Sequence, residues 1–401
     1  MRRVAVTGYG VVSALGVGRE AHFAGLRAGR CAIGPLEIDQ ADRLAVRIGA
    51  AAPFRGEEHF DRNELSLLDR TTQLALVAAQ EAMADSGLDP SAAPERVGVV
   101  VGTALNGMET VDASYRAVYA EGKNRVHPLV VPRLMASAGA SWISMRHGLK
   151  GPAFTVSTAC SSSNHAIGQA LHLIRSGAVD AMVAGGAEAP LVFGVIKAWE
   201  GLRVMSRSGC RPFCATRDGM VQGEGAGMLV LEDMDRARAR GARVWAELAG
   251  FGMTADAGDI VQPSQDGAAR AIAAALADAG MDPAEVGYVN AHGTATAAND
   301  RTEIAAIRQA LGGAAERVAV SSTKSMHGHC LGGAGAVEFG AALLALTEGL
   351  IAPTAGLVDQ DPACDLDVTP NAAVRREVAA ALSNSFAFGG LNAVLAARRA
   401  D

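Results

Sequence analysis

A chain of 401 residues is longer than a single hydrophobic core usually grows, so two domains or two closely packed halves are expected. Hydrophobic residues make up 49%, charged residues 19% and aromatics only 4%, with 47 glycines; this is the balance of a tightly packed α/β protein and not of a disordered chain. The formal net charge of −6 argues against nucleic acid or an anionic membrane as the main partner, because both select a basic field.

The chain opens on a strand-like run, RRVAVTG at 2–8, with no apolar stretch of signal-peptide length. Further β-branched runs follow at 96–104, 179–189, 228–233, 288–293, 318–323 and 392–397, each leading into glycine or a small polar residue, and read as buried strands. Helical spacing appears between them, as in RTTQLALVAAQEAMADSG at 70–87 and DGAARAIAAALADAG at 266–280, each closed by a glycine. Alternation of the two types gives an α/β class. The order of elements is similar before and after residue 250, so two related halves are expected, 1–250 and 251–401. No window holds unbroken apolar residues at transmembrane length. The cysteines at 31, 160, 210, 214, 330 and 364 have no CxxC pairing and suit free thiols in a reducing compartment. A soluble, cytoplasmic protein is expected.

Two glycine-rich stretches imitate nucleotide loops. GYGVVS at 8–13 lacks the third glycine and a properly spaced acidic residue, and QGEGAG at 222–227 lacks Lys-Ser/Thr; both read as tight turns. VSTACSSSNHAIG at 156–168 sets Cys160 at the start of a helix whose Ile167, Ala170, Leu171 and Ile174 share a face. First-turn N–H groups and the helix dipole there favour a thiolate, whereas free cysteine is also among the most buried residue types. Position alone leaves nucleophile and core residue both open.

His292 follows the apolar run YVNA, at the edge where α/β sites gather. SSTKSMHGHCLGGAGAVE at 321–338 holds Lys324, His327, His329 and Glu338. HxHC there, like Cys210-x-x-x-Cys214, lacks the spacing of common zinc sites, so no metal is expected. SNSFAFGGLNAVLA places Phe386 and Phe388 before two glycines, where backbone N–H groups can reach an oxyanion.

VTGYGVVSALG, GLKGPAFTVSTACSS, AGGAEAP, RDGMVQGEGAGMLVLE, VNAHGTATAAND, SSTKSMHGHCLGGAGAVE and LSNSFAFGGLNAVL, in this order, resemble the elongating β-ketoacyl-acyl-carrier-protein synthases over essentially the whole chain. SSNHAI, APLVFGVIKAWEGLR and CDLDVTPN are most similar to the nodulation protein E group of that family. The resemblance implies a thiolase-like five-layered αβαβα fold of two similar halves, the first carrying Cys160 and the second the two histidines and the lysine. It implies decarboxylative condensation of an acyl chain on Cys160 with malonyl-acyl-carrier protein, in fatty-acid or polyketide/polyene elongation, with no cofactor beyond the carrier's phosphopantetheine.

Residue by residue, the resemblance makes Cys160 the acyl acceptor, His292 and His329 the active-site histidines and Lys324 the lysine that tunes them. Phe388 matches the gating aromatic whose N–H joins that of Cys160 in an oxyanion hole. Thr294 and Thr296 match positions that bond the phosphopantetheine arm, Arg203 matches a carrier-contacting arginine, and Leu105 and Trp199 are expected at the acyl pocket. Asn63, Ser66 and Leu67 stand where basic docking residues occur in the family, and Leu391 replaces a threonine. Partners implied are an acyl carrier protein and a second subunit, either another copy or a chain-length factor. A thiolase would need a second reactive cysteine near the C-terminus, an initiating synthase pairs histidine with asparagine, and a non-catalytic chain-length subunit typically loses the nucleophile; none of these patterns is present. His165, on the helix itself, loses its claim as the base.

Overall fold

The computed structural model describes residues 2–400. Its first half carries strands β1 (Val4–Ser13), β2 (Val97–Gly102), β3 (Ala153–Val156), β4 (Ala181–Glu188) and β5 (Gly225–Asp233). The second carries β6 (Ala246–Ala255), β7 (Val286–Asn290), β8 (Ala319–Ser321), β9 (Ala380–Ala387) and β10 (Leu391–Arg398). The spatial orders are β3-β2-β4-β5-β1 and β8-β7-β9-β10-β6. β2 runs parallel to β3 and β4, and β7 parallel to β8 and β9, while the remaining neighbours are antiparallel in both halves. One topology is thus used twice, and its second copy opens at Ala246, slightly ahead of the 250/251 boundary read from the sequence.

The two sets meet at a short seam, where Ala5 and Val6 pair with Glu247 and Ala246. Beyond the seam, the β1 N–H groups of Tyr9 and Val11 donate to Asp85 and Glu81, both at 3.0 Å. Those carboxylates stand on α1 (Arg70–Ser86), which covers the outer face of the first sheet together with α2 (Ala138–His147). α3 (Ser162–Arg175) and α7 (Ala334–Glu348) each touch strands of both halves, and α5 (Gln265–Ala279) and α6 (Ala297–Leu311) cover the second sheet. The result is five layers, αβαβα.

The first glycine-rich stretch is a strand and not a turn, and the second is bridged at Gln222 and Gly223 before it enters a strand. Residues 8–13 lie in β1, and 225–227 lie in β5. A Cβ on Gly8 or Gly10 would stand 2.1 Å from the Ala82 carbonyl oxygen or 2.0 Å from that of Ala78, both on α1. Gly250 and Gly252 of β6 make the same approach to Ala275 and Ala271 of α5, at 2.4 and 2.1 Å. The motif Gly-Tyr-Gly and its counterpart Gly-Phe-Gly therefore mark equivalent strands, whose helices lie directly on the backbone.

The inner layer also holds the most apolar helix of the described residues, which Glu338 interrupts. Leu331–Glu348 has the length and composition of a membrane span, yet 89% of that window is buried within the protein. A helix packed between two sheets is apolar all round for the same reason a spanning helix is.

Candidate active site

β3 ends at Val156, and the chain turns through Thr158, Ala159 and Cys160 before α3 begins at Ser162. Ala159 has φ 51°, a left-handed conformation costly for a residue with a Cβ. The turn is held by its own small residues: Thr158 N–H donates to Ser162 Oγ at 2.9 Å, and Ser161 Oγ donates to Thr158 O at 2.9 Å. His165 Nδ1 lies 3.0 Å from Thr158 Oγ1, so this histidine braces the turn that carries Cys160.

Cys160 sits two residues ahead of the first helical residue and is 7% exposed, in an apolar cluster with Leu331 and Ala387 against which Leu105 and Trp199 pack. At this position the helix start and burial act on the thiol in opposite directions. Burial pushes the thiol up to about 12, with the Lys324 charge acting in the opposite direction. Desolvation of the charged sulfur outweighs what the helix start supplies, so the thiol is stored protonated.

Two histidines from the second half face it. His292 follows β7, and its N–H and that of Gly293 both donate to Glu303 of α6 at 2.8 Å. His329 sits in the turn before α7, its backbone tied to the loop entering β5 by N–H donation to Val221 O at 2.8 Å. The rings stand edge to face, centroids 5.4 Å apart. One ligand atom each from Cys160, His292 and His329 lie within 4.8 Å of one another. Both imidazoles are held well below the ordinary histidine range, by burial first and then by Lys324. Neither ring nitrogen of His329, nor Nδ1 of His292, has a hydrogen-bond partner among the described residues. Neutral imidazoles with free N–H groups are donors awaiting an oxyanion.

Lys324 lies behind this trio, fully buried, 2.5 Å from the equally buried Glu338 of α7. Burial raises the Glu338 carboxyl to about 7 against the pull of Lys324. As a donor set, one thiol and two imidazoles have the chemistry to hold a soft divalent cation, but the Lys324 charge opposes it. His327, which the HxHC pattern had drawn in, points elsewhere: its ring contacts Thr323 Oγ1 at 3.0 Å and stands 6.0 Å from the ring of His22.

A cavity of about 300 Å³ runs from this trio to the surface. It is lined by Cys160, His292, His329, Thr294, Thr296, Phe386 and Phe388, and by Trp199 and the exposed Arg203 at its mouth. Thr294 and Thr296 hydroxyls are 2.9 Å apart, and Thr296 also caps α6. Trp199 and Phe388 stack at 5.8 Å. Leu105 does not line the channel; it packs beside Cys160 on the inner side. The helix matching the basic docking segment spans Arg62–Leu67, and its Glu64 pairs with Arg146 at 2.7 Å.

The sequence reading passed over Glu303 and Arg217. Arg217, in the RDG stretch, donates to Thr296 O and Ala297 O at 3.2 Å and to Asp361 at 2.7 Å, fixing the segment that carries the two threonines. A carboxylate on the inward face of a helix, three residues after Asp300, was the available signal for Glu303.

Residues 1–237 match the family described as β-ketoacyl synthase, N-terminal domain, and residues 245–358 its C-terminal domain. Nodulation protein E of a Rhizobium species is 48% identical over 399 residues, covering 99% of each chain. The 3-oxoacyl-[acyl-carrier-protein] synthase 2 of Staphylococcus aureus is 40% identical over 403 residues, covering 98% of this chain and 97% of the relative. Among solved structures, the ishigamide ketosynthase/chain length factor superposes with TM-score 0.95 at 37% identity over the whole of both chains. A type II polyketide ketosynthase solved with its acyl-carrier protein and a bound hexaketide gives 0.92 at 32%, again over both whole chains.

Proposed function

Because this chain belongs to the β-ketoacyl synthase family, we propose that it is a β-ketoacyl-acyl-carrier-protein synthase that condenses an acyl chain carried on Cys160 with malonyl-acyl-carrier protein. The observation that carries this is the convergence of Cys160, His292 and His329 within 4.8 Å at the inner end of a channel to the surface.

Cys160 sulfur attacks the thioester of an incoming acyl arm, and the thiol proton ends on the departing pantetheine sulfur. A neutral imidazole 4.8 Å or less away is placed to relay that proton. The tetrahedral oxyanion is received by the N–H groups of Cys160 and Phe388. The malonyl arm then enters, with Thr294 and Thr296 as its hydrogen-bonding partners and Arg203 near the carrier. Its C–C bond breaks, carbon dioxide leaves, and the electron pair becomes an enolate whose oxygen accepts from His292 and His329. The carbanion attacks the Cys160 thioester, and collapse of that adduct expels the thiolate and frees the β-ketoacyl arm. One proton is taken up per turnover to restore the thiol. No step calls on a metal or a cofactor.

The pathway is proposed in the same terms: elongation of a fatty, polyketide or nodulation-type acyl chain in the cytoplasm, by a dimer. The ishigamide neighbour, named as a ketosynthase/chain length factor, supports a second assembly in which this chain is the catalytic half of a heterodimer. Intact-mass analysis of the protein alone with a panel of acyl-carriers tests both readings. Acylation at Cys160, lost in Cys160→Ala, is expected; persistent labelling of that variant overturns the assignment, and acylation only with a co-expressed partner favours the heterodimer.

A further inference from the structure

Two leucines from different halves wall the apolar cluster that holds Cys160, Leu105 after β2 and Leu331 before α7. Both walls end on one carboxylate. Glu188, the last residue of β4, is fully buried. It accepts the N–H of Ala104 at 2.6 Å, the N–H of Leu105 at 3.0 Å, the Thr103 hydroxyl at 3.1 Å and the N–H of Gly332 at 3.2 Å. Four donors converge on two oxygens, three of them main-chain groups beside the walls.

The approach is too close for anything but glycine at the second anchor. A Cβ on Gly332 would stand 2.4 Å from Ala104 N and 2.7 Å from Glu188 Oε2. The opposite side of the site uses a similar clamp, since Glu303 takes the N–H groups of His292 and Gly293. One buried carboxylate thus holds the imidazole wall, and another holds the backbone at Leu105 and next to Leu331 on the inner side of Cys160.

We propose that Glu188 is a positioning residue that sets the width of the acyl slot, and so the acyl chains accepted, by clamping the Leu105 and Leu331 walls to a single anion. The proposal rests on the reading of Cys160 as the acyl carrier. An anion suits this task because it accepts several N–H groups at once, and a charge-assisted bond is stiffer than a neutral one. Burial raises Glu188 to about 7 despite its four donors, so each donor also keeps it in its accepting form.

Glu188→Gln keeps the volume but turns an NH₂ against inward-pointing N–H groups, so at least one wall is released. Rates of Cys160 acylation with short, medium and long acyl-carriers are measured for the full-length protein by intact mass. The ratio of long-chain to short-chain kcat/KM is expected to change by about fivefold, chiefly through KM, with decarboxylation of the malonyl arm retained. Thr103→Val removes only the hydroxyl donor, so it folds even where Glu188→Gln does not, and it is expected to move the same ratio in the same direction by about twofold. An unchanged ratio in Thr103→Val, or a uniform loss across all chains that tracks melting temperature, overturns the proposal. Wild-type acylation in the same panel separates this failure from failure of the underlying reading: if no chain loads Cys160, both fall.

Discussion

Trp199 and Phe388 stack with their ring centroids 5.8 Å apart and their planes 24° from parallel. One ring stands on α4 (Phe193–Gly201) and the other in the hairpin turn between β9 and β10. Such a pair contributes about 1 kcal/mol beyond its buried area, enough to hold the Phe388 ring in one position on the wall of the cavity that reaches Cys160.

Trp199→Ala is therefore expected to leave Phe388 free to leave its stacked position. Acylation kcat/KM is expected to fall by about five- to tenfold, in line with the loss of about 1 kcal/mol of positioning. Rapid-quench intact mass reads the rate. Full wild-type rates in the variant would show that the stack does not hold the gate.

The raised Cys160 thiol gives a pH prediction. With the thiol at about 12, the reactive thiolate fraction grows tenfold per pH unit across the neutral and mildly alkaline range. Iodoacetamide modification of Cys160, followed by peptide mapping, is expected to accelerate with unit slope beyond pH 9. A plateau below pH 8 would mean that the thiolate is already formed at rest.

The buried Lys324–Glu338 pair is expected to respond asymmetrically. Glu338 already stands near 7, and losing Lys324 lets it take up a proton and remain buried without charge. Losing Glu338 takes the nearest counter-charge from a buried ammonium and leaves it beside His292 and His329 with only the more distant Glu303, and breaking a buried pair from that side costs about 3–5 kcal/mol. Urea unfolding at neutral pH should show Glu338→Ala well below Lys324→Ala in stability. Equal losses would count against a charged Lys324 as the dominant partner.

His22 and His327 are fully buried and both lowered to about 3, by desolvation first. An unfolded histidine titrates near 6.5, so between about 6.5 and 3 the unfolded state binds protons that the folded state refuses. Each residue therefore stabilises the fold above that window and loses its contribution as pH falls through it. His327→Gln keeps an amide toward Thr323 and removes one such proton. Its stability should fall less steeply on acidification, by up to about 1.4 kcal/mol per pH unit. Parallel curves for variant and wild type would contradict the buried-neutral state.

The sequence made the α/β alternation and most strands legible through β-branched runs; the five layers came from family resemblance. Three strands escaped, the first being β3, whose four residues AFTV are too short for a pattern. β6 reads AELAGFGMTA and β9 reads AALSNSFA, and small residues that admit helices carry no strand signature. For the same reason Gly8 and Gly10 looked like a turn, and the Gly-Tyr-Gly and Gly-Phe-Gly correspondence between the halves went unseen. Cys160, His292, His329, Thr294, Thr296, Trp199, Arg203 and Phe388 were legible as motif positions and do line one cavity. The state of the thiol was not legible, since Leu331 and Ala387, which desolvate it, come from the other end of the chain. Nor were the carboxylates Glu188 and Glu303, whose importance lies in backbone N–H groups that no side-chain pattern records.

The same strand order is laid down twice, but its chemistry is not. The first half contributes the sulfur and the second contributes both imidazoles, while Phe388, which lines the same cavity, lies in the hairpin turn between β9 and β10, after nearly every other element. During synthesis the thiol is made long before anything that can break a malonyl carbon–carbon bond beside it. A partly made chain thus holds no assembled site, and carbon dioxide release is tied to completion of the fold.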